Sequence, residues 1–283
     1  MQETTKIIRK INALRSIIST WRQEKKTIAL VPTMGALHEG HLSLIKIAKQ
    51  KADKVIVSIF VNPKQFSQNE DLTRYPRDEK GDRYKLSSIM TDLIWAPSIS
   101  EIYPDNFSTF VIPQGCALSL EGEFRPDHFT GVATVCTKLF SQTMPDYAIF
   151  GEKDYQQLCV IRQLVRDLNL PLSIVSGKIS REKDGLARSS RNLYLTTKER
   201  GIAPALYSAL KTIAKNAKYE ANLDKAINLA KKELLDAGFR KIDYLAVRDA
   251  HTLGPYIPSS KTDGRILAAA WLGKTRLIDN ISL

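Results

Sequence analysis

The stretch Thr33-Met-Gly-Ala-Leu-His-Glu-Gly-His-Leu-Ser-Leu44 decides the fold, because it joins a strand pattern to a helix pattern. The apolar run at 27–32 precedes it and has the length of a buried strand. Behind it, apolar residues recur near helical spacing at Leu42, Ile45, Ala48 and Ala52. The pattern predicts a strand, a glycine-containing turn and a helix that begins near residue 41.

Two histidines, His38 and His41, lie in this turn together with Gly35 and Gly40. A helix N-terminus presents unpaired N–H groups and a partial positive charge, and glycine lets a phosphate approach the backbone. The turn therefore indicates a nucleotide phosphate site. A metal site is the alternative, but helical zinc proteases place their histidines four residues apart, and these are three apart. We predict no metal held by the protein.

Outward from this stretch, short apolar strands alternate with helical patterns. We predict helices at about 5–22, 41–52, 78–90, 130–143 and 154–168. Further strands are predicted at 55–61, 93–96, 109–112, 147–150 and 172–175. Such alternation is typical of a parallel sheet covered by helices on both faces. The fold class is therefore α/β, with a Rossmann-like nucleotide-binding domain.

The alternation ends at the polar loop 180–196. Beyond it we predict helices at about 198–217 and 222–237 and strands at 242–247, 265–271 and 275–279. Gly273-Lys274 is typical of a hairpin turn. The chain thus divides into a catalytic domain, 1–178, and a smaller C-terminal α+β lid domain, 179–283.

Composition narrows the class of protein. The 283 residues carry a formal charge of +12, yet no block of five Lys or Arg occurs, so a solvated basic surface is favoured over nucleic-acid binding. The three cysteines form no Cys-x-x-Cys pair, which fits a reducing compartment. We see no signal peptide and no apolar run of the ~18 residues that a membrane span needs. A cytoplasmic protein without membrane partners is expected.

Three polar segments each follow a predicted strand: the histidine turn, 62–66 and 151–154. Ligands of parallel sheets bind beyond the carboxyl ends of the strands, so the three segments should meet. Asn62 and Gln65 both donate and accept hydrogen bonds, which suits a substrate with hydroxyls and a carboxylate. The alternative is that Asn62 only caps a turn.

The segment after the 147–150 strand offers groups for a nucleotide. Gly151 permits close backbone approach, Lys153 can neutralise a phosphate, and Asp154 can accept from ribose hydroxyls. Gln157 lies one helical turn beyond Lys153 and shares its face. A capped helix start with a surface lysine is the alternative.

The loop at 181–191 places two serines, Ser189 and Ser190, between Arg188 and Arg191, with no acid after Asp184. Many donors in a row fit a polyphosphate clamp. A flexible interdomain linker is the alternative. The Gly-Lys-Ser/Thr element of a P-loop is absent, so an ordinary P-loop ATPase is disfavoured.

Taken in order, these motifs resemble the pantoate–β-alanine ligase family. The blocks that carry the resemblance are 31–41, 59–66, 75–77, 121–126 with 131–134, 150–157 and 184–192. The resemblance covers the whole chain. The His-x-Gly-His element at 38–41 alone would indicate only the wider nucleotidyltransferase superfamily, and another nucleotidylyltransferase of that type is the alternative function.

The resemblance implies ATP-dependent joining of pantoate and β-alanine through a pantoyl adenylate, with release of AMP and pyrophosphate. It implies catalytic roles for His38, His41 and Lys153, with His41 as the proton donor. ATP would contact Met34, Gly35, His38, Gly40, His41, Gly151, Glu152, Lys153, Asp154, Ser180, Arg188, Ser189, Ser190 and Arg191. Pantoate and β-alanine would contact Met34, Asn62, Gln65 and Gln157. Mg²⁺ would arrive on the ATP phosphates, and a homodimer is implied.

Two positions depart from the family pattern. Asp127 stands where Gly is common, and Arg188 stands where Met or Leu is common. The first puts the local turn geometry in question, and the second leaves the role of Arg188 open.

Overall fold

The computed structural model of the chain describes residues 4–67, 70–216, 223–258 and 262–283. Its larger sheet consists of β1 (Lys6–Ile8), β2 (Ile28–Thr33), β3 (Lys54–Ile59), β4 (Leu93–Trp95), β5 (Tyr147–Gly151) and β6 (Ser173–Gly177). Their order is β1-β4-β3-β2-β5-β6, and every neighbouring pair is parallel. The predicted α/β fold class is confirmed.

Helices cover this sheet and continue into the C-terminal part. They are α1 (Ile11–Gln23), α2 (Glu39–Lys51), α3 (Glu79–Ser88), α4 (Ile99–Ile102), α5 (Glu121–Phe124), α6 (His128–Thr143), α7 (Tyr155–Asp167), α8 (Thr197–Ile202), α9 (Ala205–Asn216) and α10 (Leu223–Ala237). Short 3₁₀ turns lie at Pro63–Gln65, Gly115–Ala117, Glu152–Asp154 and Ser190–Tyr194. None of the helices in the described ranges combines the length and apolar character that a membrane crossing requires.

The strand order reverses at β2, which pairs with β3 on one side and with β5 on the other. In open parallel sheets this reversal leaves a crevice beyond the carboxyl ends of the two diverging strands, where ligands bind. The histidine turn leaves β2 at this point, and the Glu152–Asp154 turn leaves β5 there. The topology alone thus places two of the three predicted segments side by side.

Two of the predictions for the first sheet are wrong. Residues 6–8 do not begin the first helix but form β1, which pairs with β4. The two isoleucines in this strand fit a strand as well as a helix, and the partner strand decides between them. Residues 109–112 are not a strand. The backbone N–H of Val111 instead donates to the side chain of Thr134 in α6, at 3.0 Å to Oγ1.

The predicted helix at 198–217 is two helices, α8 and α9, which Pro204 separates. Proline has no N–H for the helix ladder and clashes with the preceding turn. The ends of the two predicted helices at residues 217 and 222 lie outside the described residues.

The smaller sheet is an antiparallel meander of β7 (Lys241–Asp249), β8 (Gly264–Leu272) and β9 (Thr275–Ser282). The predicted hairpin at Gly273-Lys274 is confirmed, with Leu272 opposite Thr275. These strands share a core with α9 and α10, whereas Tyr244, Leu253 and Leu267 pack against the core of the larger sheet. The two parts therefore meet over an apolar contact, and the division at 178 stays a prediction.

Candidate active site

The histidine turn forms the N-terminus of α2, with His38 as the N-cap residue. His38 Nδ1 accepts from the Gly40 N–H at 3.1 Å, and His41 Nδ1 accepts from the His38 N–H at 3.3 Å. The two rings lie 4.1 Å apart between centroids. Since each Nδ1 accepts a hydrogen bond, the proton of each neutral ring resides on Nε2. Both rings therefore have an Nε2–H available as a donor.

Both rings are neutral at physiological pH. Burial, and then the charges of Lys153 and Arg188, lower the pKa of His38 to about 4. Burial, and then His38 and Lys153, lower the pKa of His41 to about 3. His41 thus enters the site as a hydrogen-bond donor and not as an imidazolium that carries a spare proton. The role of proton donor that the resemblance implied for His41 stays a prediction.

Asp82 holds the turn in place, although no pattern in the sequence pointed to it. Its buried carboxylate accepts from the N–H of Ala36 at 2.8 Å and of Leu37 at 2.7 Å. The backbone there is left-handed, with φ of +82° at Gly35 and +50° at Ala36. Asp82 comes from α3, 45 residues from Leu37 in sequence, so only the fold connects it to the turn.

Lys153 sits in the 3₁₀ turn that follows β5 and directly precedes α7. Its side chain is 19% exposed, and its ammonium lies 4.0 Å from the Asp154 carboxylate. Lys153 and Asp154 line the cavity beside the histidines, whereas Glu152 does not. The Glu152 carboxylate instead accepts from Ser176 Oγ and pairs with Arg265 at 3.4 Å. The Glu152 carboxylate is thus engaged outside the cavity, and its contact with ATP stays a prediction.

The amide pair at 62–66 has unequal roles. Asn62 is 1% exposed, and its Oδ1 accepts from Tyr103 Oη at 2.8 Å and from the Lys64 N–H. Its Nδ2 donates to Gln65 Oε1 at 3.0 Å. Asn62 therefore caps the turn, as the alternative interpretation predicted, and also orients Gln65. Because Asn62 holds the amide oxygen of Gln65, the NH₂ group of that amide points away from Asn62.

Arg125 and His128 hold the backbone of Gln65. Neither was predicted as a site residue, although Arg125 lies in the block 121–126 that carries the family resemblance. His128 Nδ1 donates to the Gln65 carbonyl at 2.9 Å, and Arg125 Nη2 donates to it at 3.3 Å. Burial, and then Arg125, lower the pKa of His128 to about 4. Asp127 between them has a φ of +65°, which explains why glycine suits this position.

The arginines of the 181–191 loop are not free donors. Arg191 forms a bidentate pair with Asp71, at 3.0 and 2.9 Å, and Arg188 pairs with Glu182 at 2.9 Å. Ser190 Oγ donates to the Ala36 carbonyl at 3.0 Å and so fastens this loop to the histidine turn. The loop is an ordered wall of the cavity, unlike a flexible linker. Glu182 belongs to the loop itself, whereas Asp71 comes from a distant part of the chain, so the local composition could not show the pair with Arg191.

One cavity brings together most of the predicted site residues. Those that line it are Met34, His38, Gly40, His41, Asn62, Gln65, Gly151, Lys153, Asp154, Gln157, Ser180, Arg188, Ser189, Ser190 and Arg191. Gly35 and Glu152 lie outside its lining, and Tyr75, Arg125 and His128 join it. Within the described ranges, no three His, Cys, Asp or Glu side chains cluster in a way that could hold a metal ion.

Comparison with known proteins identifies the family of this chain. A model of the family described as pantoate-beta-alanine ligase matches residues 6–282. The chain belongs to the pantoate–β-alanine ligase family. A pantothenate synthetase of Bradyrhizobium sp. (strain BTAi1) is 50% identical over 284 residues, which cover 100% of both chains.

Solved structures of the pantoate–β-alanine ligase family share the fold. Pantothenate synthetase from Thermus thermophilus has a TM-score of 0.90 and 40% identity, covering 98% of this chain and 99% of its own. The ligase from Francisella tularensis, solved as a complex with β-γ ATP and β-alanine, has a TM-score of 0.83 and 37% identity, covering 98% and 97%. The resemblance drawn from the motifs is confirmed.

Proposed function

We propose that this chain joins pantoate and β-alanine in an ATP-dependent ligation, and that the cavity below the histidine turn is where it does so. The observation that carries the proposal is the meeting of neutral His38 and His41, the Lys153 ammonium and the amide of Gln65 in one cavity. Family membership supports the reaction, and the Francisella complex supports ATP and β-alanine as ligands of this fold.

In the first step the pantoate carboxylate attacks the α-phosphorus of ATP. The P–O bond to pyrophosphate breaks, and pantoyl adenylate forms. A carboxylate is ionised at neutral pH, so the step needs alignment and charge neutralisation and does not need a strong base. Lys153 supplies positive charge, the two Nε2–H groups supply donors, and the α2 N-terminus adds its dipole. Mg²⁺ arrives on the phosphates as part of the MgATP substrate.

In the second step the neutral amine of β-alanine attacks the acyl carbon of the adenylate. The bond to AMP breaks, the amide forms, and the amine proton leaves to solvent. Gln65 and Gln157 line the cavity, and in this proposal their amide side chains hold pantoate through both steps. Water must be excluded while the adenylate is bound, and Ser180 together with residues 188–191 lines one side of the cavity.

In this scheme the two paired arginines supply further positive charge to the phosphates of ATP. Arg191 and Arg188 line the cavity while each is held by a carboxylate. A triphosphate that enters would compete with Asp71 and Glu182 for them. A lid role for the C-terminal part, a homodimer and a cytoplasmic location are further predictions that family membership favours.

The test is product formation by the purified full chain. We expect AMP and pyrophosphate in equal amounts only when ATP, pantoate and β-alanine are all present, with pantothenate as the third product. Lys153→Ala should lose this activity by orders of magnitude while it unfolds at the same denaturant concentration. A folded protein that forms no AMP under these conditions would contradict the proposal.

A further inference from the structure

Asn280 of β9 contacts the turn that carries Lys153. Its Nδ2 group donates to two backbone carbonyls, those of Glu152 and Lys153, each at 2.9 Å. The residue is 2% exposed. An amide NH₂ has two hydrogens, and both are used on the one turn. A residue from the C-terminal sheet thus holds the backbone of the turn from which the Lys153 side chain extends.

The orientation of the Asn280 amide is fixed by its surroundings. Its Oδ1 accepts from Arg265 Nε at 2.8 Å, and a guanidinium can only donate. The amide oxygen must therefore face Arg265, which leaves the NH₂ group facing the two carbonyls. Arg265 is itself held, because its guanidinium stacks 4.0 Å from the centroid of the Tyr155 ring.

The backbone of Asn280 is also clamped. Its N–H donates to Asp279 Oδ1 at 2.7 Å, and its carbonyl accepts from Arg181 Nη2 at 3.2 Å. Arg181 and Asp279 form a bidentate pair, and Asp279 is 4% exposed. Asn280 is consequently a rigid support, since its side chain and its backbone are both fixed by buried charged groups.

We infer that Asn280 is a positioning residue for Lys153, through which the C-terminal sheet sets the place of the ammonium in the phosphate site. Two hydrogen bonds to the 3₁₀ turn fix its rotation, and the turn fixes where the lysine side chain begins. Displacement of a catalytic group by about 1 Å is enough to cost on the order of 100-fold in rate. The inference rests on the proposed function, because Lys153 has its role only there.

The direct variant is Asn280→Asp, which keeps the size and the oxygen that faces Arg265 but replaces the donating NH₂ by a second oxygen. In pantoate-dependent ATP–pyrophosphate exchange, we expect kcat to fall by about 100-fold, with the KM for pantoate within about twofold of wild type. Asn280→Ala removes both hydrogen bonds to the turn without adding a charge, and it should lower kcat to a similar extent. Tyr155→Phe is the matched control, because it removes one buried hydrogen bond across the same interface, from Tyr155 Oη to the Ala250 carbonyl at 3.0 Å.

A double-mutant cycle separates positioning from mere structural support. In a Lys153→Ala background, Asn280→Asp should cause almost no further loss of kcat, because it acts through the missing side chain. Equal losses in both backgrounds would overturn the inference, as would unfolding of every Asn280 variant or a Tyr155→Phe loss as large as that of Asn280→Asp. If wild-type protein shows no pantoate-dependent exchange, the proposed function fails instead.

Discussion

The replacement Gly40→Ala separates the geometry of the histidine turn from the stability of the helix. A Cβ at position 40 would lie 2.9 Å from His38 Cε1 and 3.0 Å from His38 Nδ1, so the His38 ring must move. Its hydrogen bond from the Gly40 N–H would be lost, which costs about 1 kcal/mol. Alanine in a helix is more favourable than glycine by up to about 1 kcal/mol, so the two effects offset each other.

We therefore expect the free energy of unfolding of Gly40→Ala to stay within about 1 kcal/mol of wild type. The rate of pantoate-dependent ATP–pyrophosphate exchange should nevertheless fall by on the order of 100-fold, because the Nε2–H of His38 is displaced. Urea denaturation and the exchange assay measure the two quantities on the same preparation.

Gly201→Ala is the matched control. Gly201 also lies in a helix, α8, and a Cβ there meets nothing within 4 Å. This variant should gain up to about 1 kcal/mol of stability and keep the wild-type exchange rate. A Gly40→Ala protein that exchanges at the wild-type rate would refute the reasoning, because the ring position would then not matter.

Three further outcomes are expected. His128 has a pKa of about 4 in the fold and about 6.5 when unfolded, so its share of stability is complete above pH ~6.5 and falls as the pH drops towards 4. Between pH ~7 and ~5 His128 accounts for about 2 kcal/mol of the loss of stability, so in urea denaturation the loss over this range should be smaller by about that amount in His128→Gln, where His38 and His41 still contribute. Glu121→Gln should lower the free energy of unfolding by about 3–5 kcal/mol, because it breaks a buried ion pair with Arg276. A decrease below about 1 kcal/mol in urea denaturation would contradict this. Asn62→Ala should raise the KM for pantoate by about tenfold, with a smaller change in kcat, because the Gln65 amide loses its fixed orientation, and an unchanged KM would count against it.

Local sequence predicted the centre of the fold well. The strand, turn and helix at 27–52 have periods that differ sharply, and glycines mark the change between them. The predictions failed where contacts between elements distant in sequence decide the secondary structure. The strand at 6–8 exists because β4 offers it a partner, whereas the backbone at Val111 bonds to a side chain of α6 and not to a strand.

The candidate site was predictable where its residues follow strands and unpredictable where they arrive from elsewhere. His38, Gln65 and Lys153 each stand just beyond a strand, so the topology of a parallel sheet brings them together. Asp82 and Asn280 act on the same loops from distant helices and strands. The sequence around Asp82 and Asn280 gives no sign of these contacts, because the contacts depend on how the elements pack.

The shifted pKa values at the site also depend on packing, so the sequence alone could not predict them. A single histidine in a sequence has an ordinary pKa, and only burial, together with the neighbouring ring and Lys153, makes the His41 ring neutral over the whole physiological range. In the structure the His41 ring is a hydrogen-bond donor through Nε2–H, and its role as proton donor stays a prediction. Its catalytic contribution should not titrate near neutral pH.

The central claim is that this cavity activates a carboxylate by adenylation, and isotope exchange between pyrophosphate and ATP measures that step alone. With the full chain, MgATP and pantoate, and without β-alanine, labelled pyrophosphate should enter ATP, and it should not do so when pantoate is omitted. Exchange that ignores pantoate, or a folded protein that shows none until β-alanine is added, would contradict the account.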